Sequence, residues 1–220
     1  MAAFEPSCYE LDSVERLRAH LAQGRTLYEV REDGQGGRHW QEVTAGDATP
    51  FVADPEPPPF SAKAFFFAER EAVFRVEGDR FVACLPEVAD QVLFGLHACD
   101  LAAVSYQDQF FAADHHYRRR RAATLLVGID CRHSCSQGFC TQVDSGPAVR
   151  AGTSDLVLLP QDDGGWRLLS LSPAGAAAVA GLDLPLASLD WQAERAASQQ
   201  RVAAEQGDSR WLEDGVAAIN

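Results

Sequence analysis

The chain has 220 residues, 46% hydrophobic and 23% charged, a composition that fits one globular domain, or one domain with an added lobe, around a sizeable core. No apolar run approaches the ~20 residues that cross a bilayer, so no membrane span is expected. Nineteen Lys and Arg against 32 Asp and Glu give a net charge of -13, which opposes the phosphate neutralisation behind nucleic-acid binding, so no nucleic acid is expected either.

The N-terminus, MAAFEPSCYELDSVERLR, has no basic segment followed by an apolar one, and the chain reads as cytoplasmic. Asp12, with Glu15 three residues later, predicts a capped helix with Leu17 and Leu21 on one face and Gly24 as its stop. TLYEVR (26–31) and HWQEVT (39–44) alternate as two strands of a hairpin around Asp33-Gly34-Gln35-Gly36-Gly37. No helix follows these glycines, which argues against a phosphate-cradling loop. Residues 1–49 thus read as an N-terminal helix and hairpin lobe. Five of the eleven prolines fall between Pro50 and Pro59, where fixed φ angles and missing amide protons predict an extended connector over 50–60.

AFFFAER, AVFRVEG and RFVACLP then read as short core strands rich in aromatic and β-branched residues. VLFGLH (92–97) is continuously apolar. Asp100 predicts a cap for a helix through LAAVSYQDQFF, and ATLLVGID (123–130) a second buried strand. A right-handed crossover makes these two strands parallel. SDLVLLP and WRLLSLS predict a hairpin across Gln161-Asp162-Asp163-Gly164-Gly165, and Ser172 with Pro173 the start of another helix. The predicted class is α/β, a mixed sheet with a strand-helix-strand core over 61–187. Residues 188–220, with the alanine-rich DWQAERAASQQRVAAEQ, predict a C-terminal helical tail whose weak apolar stripe reads as a surface or linker helix.

Six cysteines in a reducing compartment read as thiols or metal ligands. Cys99 follows the first parallel strand and Cys131 the second, and ligands of open α/β sheets bind at the carboxyl ends of strands. Cys135 and Cys140 lie on the loop CRHSCSQGFC, where Ser136 and Gly138 leave the backbone free to wrap a ligand. Four thiolates suit an iron–sulfur cluster or a tetrahedral zinc. The spacing matches neither the bacterial ferredoxin run nor paired C-x2-C knuckles, so small buried thiols on a tight loop are the alternative. Cys8, near the terminus, and Cys84, in a strand-like run, read as structural.

His133 sits inside the loop as a lesser ligand candidate, His97 packs at the sheet end, and His115 and His116 read as a solvated helix end. No Ser-His-Asp pattern, nucleophile elbow, GxGxxG or Walker sequence is present, so no catalytic residue is assigned. Arg118 to Arg121 stand out in an acidic chain. They read either as a solvated helix end favoured by the dipole or as an anion-facing docking patch; guanidinium groups near a cluster would also favour its reduced form.

Together, FSAKAFFFAEREAVFRVEG, VLFGLHACDLAAVSYQDQFF, YRRRRAATLLVGIDCRHSCSQGFC, DSGP and SDLVLLPQDDGGWRLLSL resemble the family of cytoplasmic sulfhydrogenase β-subunits and anaerobic sulfite reductase A-subunits, over residues 60 to 180. The specific pieces are Cys99-Asp100-Leu101, Gly128-Ile129-Asp130-Cys131 and Phe139-Cys140 followed by Ser145-Gly146-Pro147. The resemblance implies an electron-transfer subunit, with Cys99, Cys131, Cys135 and Cys140 holding one iron–sulfur cluster of the 4Fe-4S type. Its partners would be a flavin- or nicotinamide-handling subunit and a catalytic subunit. Family members often carry Cys-Phe-Cys where this chain has Gly138-Phe139-Cys140. They also commonly continue into a ferredoxin-like module, whereas no cysteine follows Cys140 here. The alternative reading is a structural zinc-binding or metal-free domain that scaffolds redox subunits.

Overall fold

The computed structural model describes residues 4–44, 46–47, 49–53, 56–136, 138–187 and 190–206. Among the described residues nine strands and five α-helices follow in chain order: β1 (Ser7–Leu11), α1 (Val14–Leu21), β2 (Thr26–Glu32), β3 (Arg38–Val43), β4 (Phe74–Glu77), β5 (Arg80–Ala83), β6 (Gln91–His97), α2 (Ala98–Phe110), α3 (His115–Ala122), β7 (Thr124–Ile129), β8 (Leu156–Pro160), β9 (Trp166–Ser170), α4 (Pro173–Val179) and α5 (Trp191–Gln206). A seven-stranded mixed sheet runs β1-β9-β8-β7-β6-β2-β3, so the class is α/β as the sequence predicts. The central run β2, β6, β7 and β8 is parallel, flanked by the antiparallel strands β3, β9 and β1.

The apolar runs of β6, β7 and β8 are explained by helices on both faces. On one face α1 and α4 bury Val14, Leu17, Leu21, Ala178 and Val179 against Val92, Phe94, Val127, Leu156 and Leu158. On the other, α2 and α3 bring Leu101, Val104 and Tyr117 against Leu93, Leu96, Leu126 and Val157. Within β6, Gly95 (φ +80) carries a register shift between Phe94 and Leu96. A Cβ on Gly95 would come within 3.0 Å of the Phe51 ring, so both the bulge and the packing favour glycine there.

Several local expectations shift. The cap of α1 is Ser13, which accepts from the Arg16 amide, while Asp12 lies outside and pairs with the Arg16 side chain at 2.8 Å. Helix α2 begins at Ala98, so Asp100 lies in its first turn and does not cap it. The N-terminal hairpin does not stand apart: β2 pairs in parallel with β6 and extends the core sheet. AFFFAER is not a strand: Ala64 and Phe65 end a 3-10 turn (Ala62–Phe65), and residues 66–70 continue as turn and bend. The two segments after it form β4 and β5, yet these make a separate two-stranded sheet with Phe74 at 54% and Phe81 at 74% exposure. The expectation that they belong to the core is therefore wrong, because β propensity signals a pleated surface without saying what covers it.

The tail helix is present as α5. Ser188, Leu189 and the segment 207–220 of the expected tail lie outside the described residues. Among the described residues no helix is long and apolar enough to cross a membrane.

Candidate functional site

Strands β6 and β7 are parallel neighbours, with His97 opposite Ile129. Their carboxyl ends therefore reach the same sheet edge, and the chain continues from each directly into a cysteine. Cys99 stands in the first turn of α2, and Cys131 opens the long loop between β7 and β8. That loop brings Cys135 and Cys140 back. All four cysteines line one cavity of about 250 Å³, together with His97, Ala98, His133, Gly138, Phe139, Pro147, Val202 and Gln206.

The short motifs around the cysteines acquire physical reasons. At Gly128 an added Cβ would lie 2.7 Å from Leu101 and 2.8 Å from Val149, so only glycine lets α2 and the loop close over β7. Asp130 is buried, accepts from the Val149 amide at 2.8 Å and is gripped by Arg195 of α5 at 2.5 and 2.9 Å. The Cys131 amide donates to the Pro147 carbonyl at 3.1 Å, and a Cβ on Gly146 would sit 3.1 Å from Cys140 Sγ. These contacts fix the two ends of the loop against each other around the cavity.

Backbone amides of the loop are held by carboxylates from outside it. Ser136 N–H donates to Glu56 in the proline-rich connector at 2.7 Å, and Ser134 N–H donates to Glu205 of α5 at 2.7 Å. His133 also turns outward to Glu205, at 3.1 Å, while still lining the cavity. From the end of α5, Gln206 Oε1 accepts from the Thr141 amide at 3.2 Å and the Thr141 hydroxyl at 2.6 Å, and Nε2 donates to Cys140 Sγ at 3.2 Å.

Electrostatically the site opposes ionisation of Cys99 and Cys131. Burial pushes the Cys99 thiol up to about 11, with Asp100, Cys140 and Cys135 adding to the shift. Burial raises Cys131 further, reinforced by Cys99, Cys140 and Asp130. A helix N-terminus ordinarily lowers a thiol's pKa, but here desolvation outweighs it. Cys135 and Cys140 add to the upward shift at both Cys99 and Cys131, in keeping with the cavity that all four line.

Cys8 is elsewhere, buried in β1 opposite Leu169, and Cys84 follows β5 on the separate hairpin. His116 leaves solvent to meet Glu71 at 2.7 Å. Of the arginine run, Arg120 pairs with Glu71 and Arg121 with Asp108, while Arg118 and Arg119 are exposed. The run precedes β7, so it lies at the amino edge of the sheet, on the order of 20 Å of strand from the cysteine edge. The idea that these guanidinium groups act on a cluster is not supported by that placement.

Sequence reasoning missed Glu56, Arg195, Glu205 and Gln206. Three of them belong to α5, whose weak apolar stripe hides polar contacts made near its start by Arg195 and at its end by Glu205 and Gln206. The carboxylates and amides that could have signalled this are ordinary surface residue types.

Among the described residues no group of three or more His, Cys, Asp or Glu side chains is already set to hold a metal ion; the four thiols stand around a cavity. The donor set fits a group with four sulfur positions, since Gly138 and Gly146 leave open the space beside Cys135 and Cys140 that side chains would fill. Comparison with known protein families, curated proteins and solved structures finds no match for this chain.

Proposed function

We propose that the chain is an iron–sulfur electron-transfer subunit or domain of a multisubunit oxidoreductase of the hydrogenase or sulfite reductase type, with Cys99, Cys131, Cys135 and Cys140 as the ligands of one 4Fe-4S cluster. The observation that carries this reading is the convergence of four cysteines from two parallel strand ends and one loop on a single cavity of about 250 Å³.

When bound, such a cluster supplies one-electron transfer. The protein's own contribution is to hold four sulfurs, exclude water and set the surrounding dipoles. Val202 of α5 is fully buried against the cavity and closes it from one side. Phe139 lines the cavity and is 45% exposed, leaving an apolar side chain beside the cysteines. The resemblance to the sulfhydrogenase β-subunit family adds the partners: a flavin- or nicotinamide-handling subunit on one side and a catalytic subunit on the other.

The test is anaerobic reconstitution followed by metal and sulfide analysis. The expected outcome is brown protein with about four iron and four sulfide per chain. One equivalent of zinc without iron, with a large loss of melting temperature on chelation, would replace this reading with the structural zinc scaffold. Protein without either metal would leave the metal-free scaffold.

A further inference from the structure

The last residue of α5 reaches into the cysteine site by a contact that no motif predicts. Gln206 Nε2 lies 3.2 Å from Cys140 Sγ. The orientation of its amide is fixed by chemistry: Oε1 receives the Thr141 backbone N–H and hydroxyl, and a backbone N–H can only donate. The NH2 group must therefore face the sulfur. Room for it exists because position 138 has no side chain. A Cβ there would stand 2.8 Å from Gln206 Nε2, 3.0 Å from Cys135 Sγ and 2.6 Å from Ser134 Oγ. The rest of α5 holds the amide in place, through Val202 buried on the cavity, Glu205 on the Ser134 amide and Arg195 on Asp130.

We infer that Gln206 is a positioning residue that donates an N–H···S hydrogen bond to the Cys140 ligand and thereby raises the reduction potential of the cluster. This rests on the four-cysteine reading above. One-electron reduction adds negative charge that is shared with the ligand sulfurs, and a donor aimed at one of them stabilises the reduced state more than the oxidised state. The bond also ties the potential to α5, which follows the sheet domain as a separate helix: any partner that displaces the end of α5 would lower the potential without touching a ligand.

The experiment uses the full chain, reconstituted anaerobically, with iron content and the midpoint potential read together for wild type, Gln206→Leu and Gln206→Glu. Leucine removes the donor at similar size, and glutamate removes it while adding charge. At the wild-type midpoint the reduced-to-oxidised ratio is expected to fall three- to tenfold in Gln206→Leu, tenfold being 59 mV for one electron. It should fall further in Gln206→Glu, with iron per chain unchanged in both. Full iron with an unshifted midpoint in Gln206→Leu overturns the inference and leaves the cluster reading intact. Loss of iron in both variants also overturns it, making Gln206 a structural clamp. Wild-type protein that takes up no iron overturns the cluster reading and this inference with it.

Discussion

Two thiol populations in one chain show how position decides what a cysteine does. Cys99, Cys131, Cys135 and Cys140 share a cavity, whereas Cys8 is packed inside an edge strand and Cys84 follows the outlying hairpin. Serine substitution at each of the first four should reduce bound iron per chain, while Cys8→Ser and Cys84→Ser should leave it at the wild-type value; metal analysis after reconstitution reads both. Cys8 has a different consequence. Burial raises its thiol from 9.0 to about 11, so the folded state holds that proton more tightly than the unfolded state. Its contribution to stability is then fully present below pH 9 and is lost as the pH rises toward 11. Denaturant titrations of wild type and Cys8→Ala across that window should show the wild type losing stability more steeply; parallel curves would remove Cys8 as the cause. At this scale the sequence was informative about which cysteines group together, because strand ends can be counted. It was silent about Gln206, because a glutamine at the end of an alanine-rich helix looks the same whether it meets solvent or sulfur.

Among the elements, the β4–β5 hairpin and the central strands both carry β-branched and aromatic residues but have opposite surroundings. Leu158 of β8 is fully buried on the face covered by α1 and α4, and Phe81 of β5 is 74% exposed. Leu158→Ala should cost about 2–5 kcal/mol in denaturant unfolding. Phe81→Ser should stay within roughly 0.5 kcal/mol, as surface changes do. A large loss from Phe81→Ser would show that the hairpin is part of the cooperative core after all. The same contrast explains what could be read beforehand. The strand-helix-strand unit was legible because long apolar runs have few ways to be buried. The placement of the hairpin is not legible, because a short alternating strand has the same sequence on a covered sheet and on an open one. Helix α5 is legible along the chain from its alanine-rich sequence, but its role is not, since one buried valine makes no stripe.

For the whole molecule, a net charge of -13 sets the background against which the basic helix end acts. Arg120 and Arg121 are tied to Glu71 and Asp108, so only Arg118 and Arg119 remain exposed for a partner. If they form a docking patch, reversal to glutamate at both should slow association with an acidic redox partner at low ionic strength. The difference should shrink at high ionic strength, where surface charges are screened. Iron content should not change, given the strand length that separates this edge from the cysteines. Equal association rates for wild type and variant at both ionic strengths would return Arg118 and Arg119 to an ordinary solvated helix end.

From the sequence alone came the α/β class, the parallel pairing that places Cys99 and Cys131 on one edge, and the loop that returns Cys135 and Cys140. These follow from local periodicity and from the handedness of crossovers, which operate over short stretches of chain. Tertiary structure alone decided that the N-terminal hairpin belongs to the main sheet, that the aromatic hairpin does not, and that α5 covers one side of the cysteine cavity. Those outcomes depend on contacts between residues far apart in the chain, such as Arg195 with Asp130 and Gln206 with Cys140. A hydrogen bond between distant polar side chains leaves no periodic trace in either segment, so it becomes visible only once the chain is folded.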